Sequence, residues 1–307
     1  MPIFRERVWG RKSLSPFFPQ APVQGDKRLI GEVWFSFEEN MTSLGVSLGS
    51  LLRERPELLG SAADPKRPGV CPLLVKLIFT TDHLSVQVHP DDAYAERHHG
   101  SVGKTEAWYV VEAEPEAEVA VGFREPLNAT RLKESAQSGE IEQLLARHKV
   151  KRGDVVFVPA GTVHAIGAGL TICEVQENSD ITYRLYDYGR PRELHLEHGV
   201  AVSNLEPYSF EAGTKSIAKG RDALTESKYF RMERLTPQRT VHVEARQPYY
   251  LLLISLYGEG TIAGLPFAPG QCWFVPSGNE QFSVEGTGSE WILTYTADQP
   301  SAGVRVN

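Results

Sequence analysis

Two stretches of this chain share one frame. Residues 153–167 read GDVVFVPAGTVHAIG and residues 270–281 read GQCWFVPSGNEQ. In each, a glycine and five intervening residues lead to Pro-x-Gly, and after two more residues stands His164 in the first stretch and Gln281 in the second. All four markers are displaced by the same 117 residues. Val155, Val156, Phe157 and Val158 form a β-prone apolar run, and proline with glycine then forces a tight turn before the next strand starts at the histidine. An internal repeat of this kind predicts two copies of one β-rich unit. If each sheet closes into a barrel, His164 lies where a strand enters the mouth, with its side chain free to point inward. The second copy keeps the turn, but no histidine-x-histidine pair precedes it, so it is expected to lack the chemistry.

The chain has 307 residues, enough for two domains with a sizeable core. Its apolar content of 41% and charged content of 23% are those of a soluble globular protein. A net charge of −7 argues against nucleic acid as a partner, because phosphate backbones want a basic surface. A local basic pocket for a small anion is still allowed. Cys71, Cys173 and Cys272 are odd in number and far apart, which fits a reducing cytoplasm and neither a zinc ribbon nor a disulfide framework. The start of the chain carries Arg5, Arg7, Arg11 and Lys12 without a continuous apolar run, so it is not read as a signal peptide. No stretch approaches the ~20 apolar residues of a membrane span.

Along the chain, the proline- and arginine-rich start reads as an extended arm. A strand is expected over 29–37 and a short helix over 47–55, with Ser47 as N-cap and Pro56 at its end. The strand CPLLVKLIF, 71–79, is interrupted by Lys76, which either snorkels to water or serves a site. In LSVQVHP, 84–90, strict alternation puts Leu84, Val86 and Val88 on one face and Ser85, Gln87 and His89 on the other. Residues 91–99 read as a short helix. Its neighbours His98 and His99 do not face each other on a helix and are read as surface. In GKTEAWYVV, 103–111, Lys104, Glu106 and Trp108 share one strand face. Residues 128–148 read as helical, with Asn128 and Ser138 as N-caps and a break at Gly139. Strands follow at 170–176 and 182–185, the latter carrying Arg184. His195 and His198, three apart in a segment turning helical, are read as a solvated face. In the second half an apolar strand over 249–256 and a glycine turn at 258–262 precede the repeated motif.

Gln87, His89, Glu106 and His164 therefore come from three strands at site-facing positions. Two imidazoles and a carboxylate make a usual open zinc set, with Gln87 as a weaker fourth donor. Lys104 and Arg184, with Lys76 as an outlier, supply positive charge beside the site in an otherwise acidic protein. That pattern suits an anionic substrate such as a sugar phosphate.

These residues resemble the short bacterial form of type I mannose-6-phosphate isomerases, zinc-dependent enzymes of the cupin superfamily. The resemblance is carried by LLVKLI (73–78), LSVQVHPDDAYA (84–95), GKTEAWYVV (103–111), PAGTVHAIGAG (159–169), EVQENSDITYRLYDYGR (174–190) and PRELHL (191–196). It implies a mainly β fold of two cupin (jelly-roll β-barrel) domains with a small helical insertion and an extended N-terminal arm. The catalytic domain would span 1–215, with the insertion at about 127–150, and a degenerate domain without metal ligands would span 216–307. It further implies one zinc per chain on Gln87, His89, Glu106 and His164. Arg184 becomes the catalytic or phosphate-neutralising arginine, and Lys104 falls at the site lysine. The implied reaction interconverts mannose 6-phosphate and fructose 6-phosphate through a cis-enediol, with Lys104 or a metal-bound water as base. The start of the chain departs from the family pattern, with Arg11 after Trp9-Gly10 and Phe35 after Trp34. Two other classes share parts of this pattern. A cupin oxygenase would use similar ligands with iron but has no need of Lys104 and Arg184 together, and a non-catalytic sugar-binding cupin would keep the pocket without turnover.

Overall fold

A computed structural model of the chain describes residues 1–21, 28–209, 214–244, 248–278, 281–297 and 299–306. The chain runs β1 (Ile3–Arg11), β2 (Ile30–Phe35), α1 (Leu48–Glu54), β3 (Leu73–Phe79), β4 (Val86–Val88), α2 (Asp92–His99), β5 (Glu106–Ala113) and β6 (Glu118–Phe123). The excursion α3 (Ala129–Ser138) and α4 (Ile141–Leu144) comes next. It is followed by β7 (Leu145–Lys149), β8 (Val155–Val158), β9 (His164–Ile166), β10 (Leu170–Glu177), β11 (Tyr183–Tyr186) and α5 (Leu196–Val202). The remainder is β12 (Lys215–Ala218), β13 (Arg221–Glu226), β14 (Arg231–Leu235), β15 (Thr240–Glu244), β16 (Leu251–Ile262), β17 (Leu265–Phe267), β18 (Cys272–Val275), β19 (Gln281–Tyr295) and β20 (Val304–Val306). The fold is mainly β, with curled sheets of the cupin kind.

Packing divides the chain into two compact units. One comprises Arg7–Arg11 and Ile78–Ala212; the other comprises Met1–Glu6, Lys12–Leu77 and Gly213–Asn307. This division is not collinear with the expected boundary at 215, because the stretch 12–77 packs with the C-terminal strands: the Ser61 amide donates to the Pro248 carbonyl and the Ser277 amide to the Leu58 carbonyl.

In the unit built on 78–212, β11-β4-β9-β6-β7 form one antiparallel sheet, and β10-β5-β8 lie together in a second. Period-two alternation decides what each strand buries. Val119 and Val121 of β6 join Trp108, Val110, Val156, Val158, Ile166 and Ile172 in the core between the sheets. Ala120 turns outward, as does Phe123 past the irregularity at Gly122 (φ 71°), and there they meet Val86, Val88, Ala165 and the helical Leu132, Ala136 and Ile141. The helices thus cover the outer face of the five-stranded sheet and leave its inner face to the site. Pro90 ends the strand at His89. Asp91 then caps α2, its carboxylate accepting the Tyr94 amide at 2.8 Å.

The repeat is visible as geometry. β8 and β18 start two residues after Gly153 and Gly270, and β9 and β19 start at His164 and Gln281. Gly153 and Gly270 both take left-handed φ, 92° and 82°. His164 is fully buried, whereas Gln281 is exposed.

Several expected elements hold. Ser47 caps α1 by accepting the Ser50 amide at 3.1 Å, and Asn128 caps α3 by accepting the Arg131 amide at 2.8 Å. Two need correction. The helix expected to reach 148 stops at Leu144, and Ser138 ends α3 instead of capping α4, whose N-cap Glu140 makes no side-chain capping bond. A four-residue helix without a cap is weak, and pairing with β6, His148 opposite Val119, satisfies the backbone better. Likewise the glycine turn expected at 258–262 is absent. β16 runs on through Gly258 (φ 83°) as bulges in its ladder with β19. Among the described residues no helix is long and apolar enough to cross a membrane.

Candidate metal centre

Register brings the predicted donors together. Gln87 of β4 stands opposite both His164 of β9 and Arg184 of β11, so Arg184, Gln87 and His164 form one row across three strands. Residues directly opposite each other in an antiparallel ladder share a sheet face. His89 directly follows the strand that carries Gln87, and Glu106 opens β5. His89, Glu106 and His164 place one ligand atom each within 4.8 Å of one another, and all three are buried.

The tautomers follow from the partners. His89 Nδ1 lies 2.8 Å from the Ile181 carbonyl and His164 Nδ1 lies 2.9 Å from the Thr162 carbonyl. A carbonyl only accepts, so each Nδ1 carries the proton and each Nε2 presents a lone pair. Those lone pairs face Glu106: His89 Nε2 is 3.4 Å from Oε2 and His164 Nε2 is 3.3 Å from Oε1. Acceptor opposed to acceptor in a buried site calls for positive charge, which the Lys104 ammonium supplies to His89 and Glu106 here and which a metal cation would also supply. Burial holds the His164 pKa below its ordinary value, against the pull of the Glu106 charge, which keeps the imidazole neutral and ligand-ready. The donor set fits a divalent metal with open positions. The Gln87 amide nitrogen lies 3.3 Å from His164 Nε2, and its oxygen accepts from the Ser85 hydroxyl at 3.2 Å. It is adjacent to the centre, and its oxygen would face the donors with the amide turned over.

Lys104 is buried, with Nζ 3.0 Å from both Glu106 Oε2 and His89 Nε2. Arg184 is half-buried. Its Nη1 donates to the Glu193 carbonyl at 2.8 Å, and its backbone amide donates to His195 Nδ1 at 3.2 Å. Its pKa is lowered, first by desolvation and then by the Arg192 charge, so the guanidinium is primed for an anion. Lys76 lies in the other unit. There its ammonium sits 4.9 Å from the centre of the Trp34 ring, whose indole donates to Glu32 at 2.7 Å.

His98, His99 and His198, the last with Tyr94 and Tyr183, form an aromatic cluster on the outer side of the sheet: the His198 ring stacks on Tyr183 at 5.0 Å and accepts from or donates to Tyr94 at 2.9 Å. These histidines are exposed, as expected, and are not in the metal-capable group found among the described residues. Sequence reading missed the supports. His195, read as solvated, braces the Arg184 backbone. Glu174, opposite Trp108 in register, accepts that indole N–H at 3.1 Å beneath the centre. The signal for Glu174 was its place in the alternation of LTICEVQE, where it shares the inward face with Leu170 and Ile172.

The family described as phosphomannose isomerase type I, catalytic domain, matches residues 2–131. The mannose-6-phosphate isomerase ManA of Bacillus subtilis is 36% identical over 96% of this chain and 97% of its own length. This chain belongs to the type I phosphomannose isomerase family. A second member of the family, the mannose-6-phosphate isomerase of Streptococcus mutans, is 35% identical over 84% of each chain. Among solved structures, the mannose 6-phosphate isomerase from Bacillus subtilis superposes with a TM-score of 0.84 at 30% identity, covering 96% of this chain and 98% of that one. A zinc-bound mannose 6-phosphate isomerase superposes at 0.77 with 18% identity over 96% and 98%, a likeness of fold. For this family member the catalytic-domain match takes in Gln87, His89, Lys104 and Glu106 and ends before His164 and Arg184.

Proposed function

We propose that the chain is a zinc-dependent aldose–ketose isomerase that interconverts mannose 6-phosphate and fructose 6-phosphate through a cis-enediol. The observation that carries the reading is the pair of imidazoles whose Nε2 lone pairs converge on the buried Glu106 carboxylate, each fixed from behind by a backbone carbonyl. His89, Glu106 and His164 would hold the zinc, with Gln87 as the fourth donor. Bound there, zinc supplies Lewis-acid polarisation of the sugar's carbonyl and hydroxyl oxygens.

The protein's own groups do the rest. Arg184 stands in the row with Gln87 and His164, and its partly desolvated guanidinium holds the anionic substrate or the negative charge that develops on it. Lys104 lies beside the donors and is the side chain placed to move a proton between C2 and C1. The apolar wall of Trp108, Val156 and Val158 excludes water from the enediol. Catalysis belongs to the unit built on 78–212, within the expected catalytic domain 1–215. The domain spanning 216–307 keeps the corner and presents Gln281 to solvent.

A coupled assay that follows fructose 6-phosphate formed from mannose 6-phosphate tests the reading. Turnover should vanish on thorough chelation and return with zinc. Turnover that survives full metal removal, or no turnover by the zinc-loaded protein, overturns it.

A further inference from the structure

Lys104 is aimed by a segment that precedes its strand. β5 begins at Glu106, so residues 103–105 lie outside its ladder, yet all three of their amides are engaged. Gly103 donates to Asp92 Oδ1 at 3.0 Å, Lys104 to the Pro90 carbonyl at 3.0 Å, and Thr105 to Glu177 Oε2 at 2.8 Å. The Glu177 amide donates back to the Thr105 carbonyl at 3.1 Å. Gly103 is pressed against residues 90–92: a β-carbon there would lie 2.7 Å from the backbone of Asp91 and Asp92. Glu177 is buried, and its carboxyl group also hydrogen-bonds the Asp92 side chain.

Two ionised carboxylates do not hydrogen-bond each other, so the buried Glu177 carries the proton between them. We propose that Asp92 and Glu177 form a proton-bridged clamp on the amides either side of Lys104, and that Glu177 is thereby a positioning residue that aims the Lys104 ammonium at Glu106 and His89. The inference rests on the isomerase reading above. Asp91, not Asp92, is the side chain that caps α2, and Glu177 is the last residue of its strand.

Burial, and next to it the charge of Asp92, pushes the Glu177 pKa up to about 8, which places the bridging proton on Glu177 at neutral pH. Asp92, from α2, is the titratable group that acts on it. The edge of β5 presents the Thr105 amide and carbonyl. Above that pH the proton leaves, two like charges face each other, and the clamp loosens. Glutamine at 177 keeps both contacts at every pH, its oxygen accepting from Thr105 and its amide donating to Asp92.

Steady-state kinetics of the zinc-loaded full chain test this, with folding monitored by thermal melting. Glu177→Ala should lower kcat about 10- to 100-fold with KM within about threefold, the scale expected when a catalytic group is misplaced by about an ångström. Glu177→Gln should restore kcat to within about threefold of the unmodified protein. The unmodified protein should lose kcat above about pH 8, and Glu177→Gln should abolish that decline. Glu177→Ala turning over like the unmodified protein, or Glu177→Gln keeping the alkaline decline, overturns the clamp. If Glu177→Ala does not fold, the pH profile of Glu177→Gln alone decides. An unmodified protein without turnover overturns the isomerase reading instead, before any variant is compared.

Discussion

The two nitrogens of each site histidine do different jobs. Nδ1 is spent on a backbone carbonyl, and that bond is what leaves Nε2 open toward Glu106. Arg184 has the converse problem. Its charge is permanent, it is partly buried, and its fixed contacts are one carbonyl and one backbone brace. Arg184→Ala should therefore lower kcat/KM for mannose 6-phosphate by about 10- to 100-fold, the worth of a charge-assisted hydrogen bond or two. Bound zinc per chain should stay unchanged, so kinetics combined with metal analysis checks it; loss of zinc would instead make Arg184 part of the metal support. The residue types and strand faces of Gln87, His89, Glu106 and His164 could be read from alternation and from the position of Pro90. The supports could not. Carbonyls of Ile181 and Thr162 carry no residue signature, and Glu177 falls just past the strand expected to end at 176.

At the scale of elements, the Pro-x-Gly corner between β8 and β9 does more than reverse the chain. The Gly161 amide donates to the His89 carbonyl at 2.8 Å, and its own carbonyl accepts from Asn204 at 2.7 Å. The corner that delivers His164 is thereby tied to the strand end that delivers His89. Gly161 has φ 85°, and a β-carbon there would meet the Val202 carbonyl at 3.0 Å. Gly161→Ala should cost about 1–2 kcal/mol of stability from the left-handed backbone alone. It should also weaken zinc retention as the corner shifts. Unfolding midpoints and the zinc content after dialysis measure both, and an unchanged pair of values would show that the tie is slack. This corner was legible because proline and glycine fix dihedrals locally. The stretch 141–148 was not, because its helical spacing competes with a ladder to β6 that only tertiary structure reveals. The single long β16 was hidden for a related reason: Gly258 signals a turn and a bulge alike.

For the molecule as a whole, the repeat could be read from the sequence, whereas the packing partners of 12–77 could not, since nothing local in that stretch names the strands it meets. The C-terminal strands hold a buried ion pair. Arg221 Nε and Nη2 donate to Glu233 at 2.6 and 3.1 Å, and the Tyr295 hydroxyl joins them. Removing one partner strands the other charge, so Glu233→Ala should destabilise by about 3–5 kcal/mol in a urea titration, and a loss under about 1 kcal/mol would contradict it. The interleaved packing also sets a timetable. Residues 12–77 leave the ribosome first but belong with strands made last. At about 5–20 residues per second, the wait while the intervening stretch is synthesised is roughly 7–30 s. For at least that time Leu58 and Gly60 are without Ser277 and Tyr249, the backbone partners they meet in the folded unit. Newborn chains of this protein should therefore depend on a holding chaperone early in translation, while the segment that builds the metal centre is still being made.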